Sequence, residues 1–173
     1  MEIRFLNTQD VVVYRELRLQ ALKDSPTAFG SSYEEESCFS LPDFAARLRP
    51  HNDPANSIFG AFGNTDKLIG MLGFSRENRL KRFHIGSLWS MYVLPENRGQ
   101  GVGAALLDRV LSHARCLSGL RQISLTVTTN NLPACSLYQS RGFERFGKEH
   151  NALFINGTYF DEEHLVLYFN HDV

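Results

Sequence analysis

The chain has 173 residues, 43% hydrophobic and 21% charged, with a net charge of −1. That length suits one domain with a real core, here 1–173, and the composition excludes disordered and fibrous classes. The near-neutral charge carries no electrostatic footprint for nucleic acid, and no apolar run approaches the length of a membrane span.

In chain order, Ile3 to Leu6 reads as a first strand. Asn7 and Thr8 can cap a helix running to about Lys23, with Val12, Val13, Leu17, Leu19 and Leu22 as its apolar positions. Ser25-Pro26 stops it, and Ser40-Leu41-Pro42-Asp43 opens a second helix with a capping-box pattern. Residues 57–62, 68–76 and 83–94 then read as three strands of an antiparallel meander. The basic stretch 76–82 fits a solvated turn.

From Gly101 the apolar period changes from two to about 3.6, with Val102, Leu106, Val110 and Leu111 on one stripe, until Ser118-Gly119 ends the helix. A strand over 122–128, a short helix over 132–141 and two last strands, 143–155 and 159–169, follow. Asn156-Gly157 is a strong hairpin signal between the last two. The three cysteines, Cys38, Cys116 and Cys135, lack metal or redox spacing, and the six histidines show no zinc-like pattern, so no metal is expected. The odd number of thiols and the start, Met1-Glu2-Ile3-Arg4, point to a reducing, cytoplasmic setting without a signal peptide.

The most informative segment is Arg98-Gly99-Gln100-Gly101-Val102-Gly103-Ala104, directly after the apolar run 88–94. Glycines at alternate positions let backbone amides approach a ligand, and the helix that follows adds its positive N-terminal end, which together make a pyrophosphate cradle. No Gly-Lys-Ser/Thr is present, so this is not a P-loop. Gly99, Gly101 and Ala104 satisfy G-x-G-x-x-A, but no acid stands near the end of the next strand, as a Rossmann dinucleotide site requires. A plain glycine-rich turn is the remaining alternative.

Read as R-x-x-G-x-G, these residues resemble the acyl-CoA signature of the GNAT superfamily of N-acetyltransferases. The resemblance extends upstream to Trp89 through Asn97, like that family's V-x-P-x-x-R-G strand exit. Downstream, Asn131-Leu132-Pro133-Ala134-Cys135-Ser136-Leu137-Tyr138 is similar to its N-x-x-A-x-x-L-Y, and Gly142-Phe143 to its closing G-F.

The resemblance implies a mixed α/β (α+β) fold, a mostly antiparallel seven-stranded sheet with about four helices, and acyl-CoA wedged between strands four and five. It implies that Met91, Tyr92 and Val93 pair with pantetheine, Arg98 to Ala104 hold the diphosphate, and Asn131, Ser136 and Tyr138 lie near the thioester. The implied reaction is direct attack of an amine on acetyl-CoA in a ternary complex. A backbone N–H near Val93 would stabilise the oxyanion, and Tyr138 would protonate the leaving thiolate. A non-catalytic acyl-CoA-binding module is the alternative.

A general base is harder to find. Positions where relatives carry a glutamate align with Ser87 and Thr126, neither of which is a base. Glu77, His84 and Asp161 are candidates through ordered water, or ordinary surface residues. The acceptor, a small-molecule amine or an amino terminus, is expected against residues 27–33 with the acids Glu34, Glu35 and Glu36, and against the cluster 159–164. Homodimerisation, common in the resembled family, is an expectation that the aromatic last strands would serve.

Overall fold

The computed structural model describes residues 1–48, 54–64 and 66–169. Seven strands form one sheet: β1 (Glu2–Phe5), β2 (Asn56–Phe62), β3 (Leu68–Arg76), β4 (Ile85–Val93), β5 (Gln122–Thr128), β6 (Glu144–Ile155) and β7 (Thr158–Tyr168), in the order β1-β2-β3-β4-β5-β7-β6. Every pairing is antiparallel except β4 with β5. The described residues include five α-helices: α1 (Val11–Asp24), α2 (Tyr33–Ser37), α3 (Leu41–Arg47), α4 (Val102–Arg115) and α5 (Leu132–Gln139). None is long and apolar enough to cross a membrane.

The expected meander, the α4 stripe and the last hairpin are all present. Val102, Leu106, Val110 and Leu111 are buried, and Asn156 and Gly157 both take the positive φ of a two-residue turn. Two details differ from expectation. Val12 and Val13 are exposed because the inward face of α1 is Tyr14, Leu17, Arg18, Ala21 and Leu22, spaced i, i+3, i+4, i+7, i+8. The expected pair of N-terminal helices is three, since α2 intervenes, capped by a reciprocal Ser32–Glu35 box.

The sheet does not close evenly. β4 and β5 are paired only over Ile85–Gln122, Gly86–Ile123 and Ser87–Ser124, and beyond these the two strands part. The cause lies on the other side of β4. Met71 pairs with Tyr92 and Gly73 with Trp89, so β4 carries one more residue than β3 across this step. The extra residue is a bulge, and Ser90 within it has φ +60°. Such a bulge bends its strand and raises its twist, which turns the second half of β4 away from β5.

Candidate functional site

The gap between the parted strands leads to the glycine loop. After β4, a short turn over Pro95–Asn97 delivers Arg98, Gly99 and Gln100 to the start of α4. Gly99 and Gly101 have φ +71° and +79°, a region that costs an L-residue roughly 1–2 kcal/mol. A Cβ on either would stand in open space, so neighbouring atoms do not require glycine here, while the backbone conformation does. Gly101 caps α4 with its backbone alone, and Ala105 N donates to Gly101 O at 2.9 Å. The amides of Val102, Gly103 and Ala104 precede the first intrahelical bond and face outward with the positive end of the helix.

A cavity of about 440 Å³ runs along this loop. Its walls include Met91, Tyr92 and Val93 of β4, Arg98, Gly99 and Gly101 of the loop, Val102, Gly103 and Ala104 of α4, and Asn131. The ladder register fixes the direction of one of these groups. Leu94 N donates to Ile69 O at 2.9 Å, so the neighbouring Val93–Gly70 pair is a non-hydrogen-bonded one, and the N–H and C=O of Val93 point away from β3 into the gap. Arg98 Nε donates to that Val93 carbonyl at 3.0 Å, folding the side chain back over the Tyr92 ring.

At the inner end lies a second cavity of about 60 Å³, lined by Ser90, Met91, Thr126, Thr128, Asn131 and Tyr138 among others. Tyr138 is 6% exposed, and its ring meets Phe143 edge-on at 5.6 Å. Burial, and to a lesser extent Cys135, pushes its phenol pKa well above the ordinary value. Asn131 caps α5, its Oδ1 accepting from Ala134 N at 3.3 Å, and touches both cavities. Gln100 and Ser136 are placed elsewhere. Gln100 is exposed and donates to Glu96 O at 2.9 Å, and Ser136 is exposed because Cys135 and Tyr138 take the inward positions of α5.

A third cavity, about 690 Å³, opens between the segment after α1 and the β6–β7 hairpin. Phe29, Tyr33, Glu34 and Glu35 line it on one side, and Leu153 and Phe154 on the other. Glu36 does not belong with them. It is 2% exposed and clamped by Arg18 at 2.6 and 3.0 Å and by Arg47 at 2.8 Å. Burial opposes its ionisation, but the hydrogen bonds from both arginines outweigh it and hold the carboxyl below the usual range.

The three candidate bases read from sequence take the places of surface ion-pair and turn residues. Glu77 pairs with Arg79 and Arg82 at the β3–β4 turn, and His84 sits just before β4, both at the paired end of the sheet rather than the parted one. Asp161 is held by Lys148 at 2.8 Å and by the Asn151 amide, which bring it down to about 2. It is an ion-pair partner without basic strength near neutrality. Among the described residues no group of three or more His, Cys, Asp or Glu side chains converges as a metal site would.

Comparison with known proteins bears on this arrangement. The profile of the Acetyltransferase (GNAT) family matches residues 19–143, which span the strand, the loop and the Tyr138 helix. The chain belongs to the GNAT acetyltransferase family. This GNAT chain is 35% identical over 115 residues to an N-alpha-acetyltransferase RimI of Mycobacterium tuberculosis, covering 66% of the chain and 68% of that relative. It is also 35% identical over 99 residues to human N-acetyltransferase 8, covering 53% of the chain but only 40% of that protein. The chain thus spans less than half the length of several curated relatives. A phosphinothricin acetyltransferase of Sinorhizobium meliloti, solved in complex with AcCoA, superposes with a TM-score of 0.83 at 21% identity, over 96% of this chain and 87% of that one. At that identity the likeness bears on the fold, which is the mixed GNAT sheet with β4 and β5 parallel.

Proposed function

We propose that this GNAT chain is a single-domain N-acetyltransferase that moves the acetyl group of acetyl-CoA to a primary amine of a small molecule or an amino terminus, by direct attack in a ternary complex. The observation that carries this reading is the parted edge of β4 and β5. It offers an outward-facing backbone N–H at Val93 beside a carbonyl that Arg98 holds, a glycine cradle at one end and a buried phenol at the other. An extended pantetheine arm fits such an edge as an added strand would. The outward amides of Val102 to Ala104 suit a diphosphate, for which a hydrogen bond to a charged group contributes about 1.5–3 kcal/mol.

In this reading the amine approaches from the 690 Å³ cavity, whose aromatic walls and Glu34 and Glu35 suit a cationic group with an apolar body. The Val93 N–H is positioned to stabilise the carbonyl oxygen as it gains charge. As the C–N bond forms and the C–S bond breaks, Tyr138 gives its proton to the thiolate. Its raised pKa keeps that proton in place until it is needed. The three unpaired thiols support a reducing, cytoplasmic setting, and exposed Phe146, Phe154 and Tyr159 suit a homodimer contact.

A non-catalytic acyl-CoA-binding module is the second reading, favoured by one observation: among the described residues, none that lines the inner cavity carries a carboxylate or an imidazole. Thiol release from acetyl-CoA across polyamines, amino acids, aminoglycosides and short peptides separates the two. A hit that Tyr138→Phe loses supports the enzyme, and saturable acetyl-CoA binding with no acceptor supports the module.

A further inference from the structure

Thr128 ends β5 at the inner cavity. It is 2% exposed, and its hydroxyl oxygen is buried with no hydrogen-bond partner in the described structure. A buried hydroxyl left unpaired is costly, so a site that keeps one is built for a partner from outside the chain. The cavity beside it is polar, about 60 Å³, with Ser90, Asn131 and Tyr138 on its walls, and it has room for water.

The β5–β7 register places a carboxylate beside this hydroxyl. Thr128 is paired directly with Glu162, and Thr126 with His164. Opposed residues share one face of a sheet, with Cα atoms roughly 4.5–5.5 Å apart, so Thr128 and Glu162 lie on the same face within the reach of one bridging water. Alternation sends Asp161 and Glu163 to the opposite face. The Cys135 thiol on α5 reports this, since after burial the charge of Glu163 is what raises it. The groups facing Glu162 are Glu149, its partner on β6, and His164, which contacts Glu149 at 3.3 Å. β5 contributes only Thr126 and Thr128 there, and the segment Pro26–Ala28, which packs over β5, brings no charge.

Resting on the N-acetyltransferase reading, we propose that the Thr128 hydroxyl and the Glu162 carboxylate hold a water between them and pass the acceptor ammonium's proton to Glu162. The balance is complete with groups already named. The ammonium loses one proton through water to the Glu162 carboxylate, and the free amine attacks. Tyr138 protonates the thiolate and is restored by the second nitrogen proton, and the Glu162 carboxyl releases its proton to solvent. Burial and then Glu149 raise the Glu162 pKa, against a lowering by His164, which makes it a stronger base than a surface glutamate. Glu162 acts here through water, as a positioning and proton-accepting group.

The test is kcat/KM against pH for wild type, Glu162→Gln, Glu162→Asp, Thr128→Val and Thr128→Ser, with the best acceptor from the amine panel and with acetyl-CoA affinity measured in parallel. Glu162→Gln is expected to lose about 10²-fold or more at pH 7. That loss should shrink as pH approaches the acceptor's own pKa, where the free amine needs no base. Thr128→Val, which keeps the shape and removes the hydroxyl, is expected to lose on the order of tenfold, and Thr128→Ser to regain most of it. Acetyl-CoA affinity should hold throughout. If Glu162→Gln does not fold, Glu162→Asp decides by the same change in pH profile. Variants whose profiles superimpose on an active wild type overturn the relay alone. A wild type that binds acetyl-CoA yet acetylates no amine overturns the enzyme reading and the relay with it.

Discussion

Arg18 on α1 donates Nη1 to Ser90 Oγ at 3.0 Å, tying a helix to the bulge that parts β4 from β5. The same guanidinium is gripped by buried Glu36 and lies 4.8 Å from the Phe29 ring centroid. One side chain thereby connects α1, α2, the Phe29 wall of the 690 Å³ cavity and the strained residue of β4. Removing it leaves Glu36 buried with Arg47 alone. Arg18→Leu is expected to lower unfolding free energy by about 3–5 kcal/mol, the usual cost of breaking a buried pair. Urea titration checks this. The double variant Arg18→Leu/Glu36→Leu should recover part of the loss, because it removes the stranded charge as well.

The same carboxylate sets an acid limit. The folded-state pKa of Glu36 lies below its unfolded value of about 4.3, so its contribution to stability is present above that value and is lost as pH falls through the folded pKa. Thermal midpoints measured from pH 7 to pH 3 should decline most steeply below about pH 4. Glu36→Gln should begin lower and decline less. Parallel curves for the two proteins would show that other carboxylates govern acid unfolding.

At Gly101 the constraint is conformational. Gly101→Ala places a Cβ on a φ of +79° and projects a methyl into the space where the cradle's ligand is proposed to sit. A strain of about 1–2 kcal/mol converts to a roughly five- to thirtyfold weaker acetyl-CoA affinity if binding requires this conformation. Calorimetric titration measures it. Gly103→Ala is the matched control, since its Cβ would meet Leu137 at an ordinary 3.5 Å and its φ is not in the strained region.

Much of this could be read from the chain, and the parts that could not share a physical cause. The meander, α4 and the Asn156-Gly157 hairpin follow from local periodicity and turn chemistry, which neighbouring residues determine. The Ser32–Glu35 capping box is equally local, within a run of three glutamates. The β4 bulge is different. Nothing in Trp89-Ser90-Met91 demands a positive φ, and its support, Arg18, stands 72 positions away. Glu36 is a buried ion-pair partner rather than a cavity acid for the same reason, because only the tertiary fold brings Arg18 and Arg47 onto it. Glu162 stands within the cluster 159–164 that the sequence offers on the acceptor side, and only the β5–β7 register sets it opposite Thr128.

Tyr138 gives the sharpest pH expectation. A general acid must hold its proton, and an ordinary tyrosine begins to lose it near pH 10. Burial among α5, Phe143 and the inner cavity raises the pKa of this phenol further, so its protonated form persists beyond that point. With saturating amine, kcat should therefore show no alkaline fall attributable to Tyr138 up to about pH 10. Tyr138→Phe should lower kcat by about 10²–10⁴-fold while leaving acetyl-CoA affinity within twofold, since the ring and its contact with Phe143 are retained. Poor leaving groups depend most on the acid, so the defect should shrink with an acyl donor whose thiol is more acidic than that of coenzyme A. A defect of equal size with both donors would place Tyr138 in packing rather than in proton transfer.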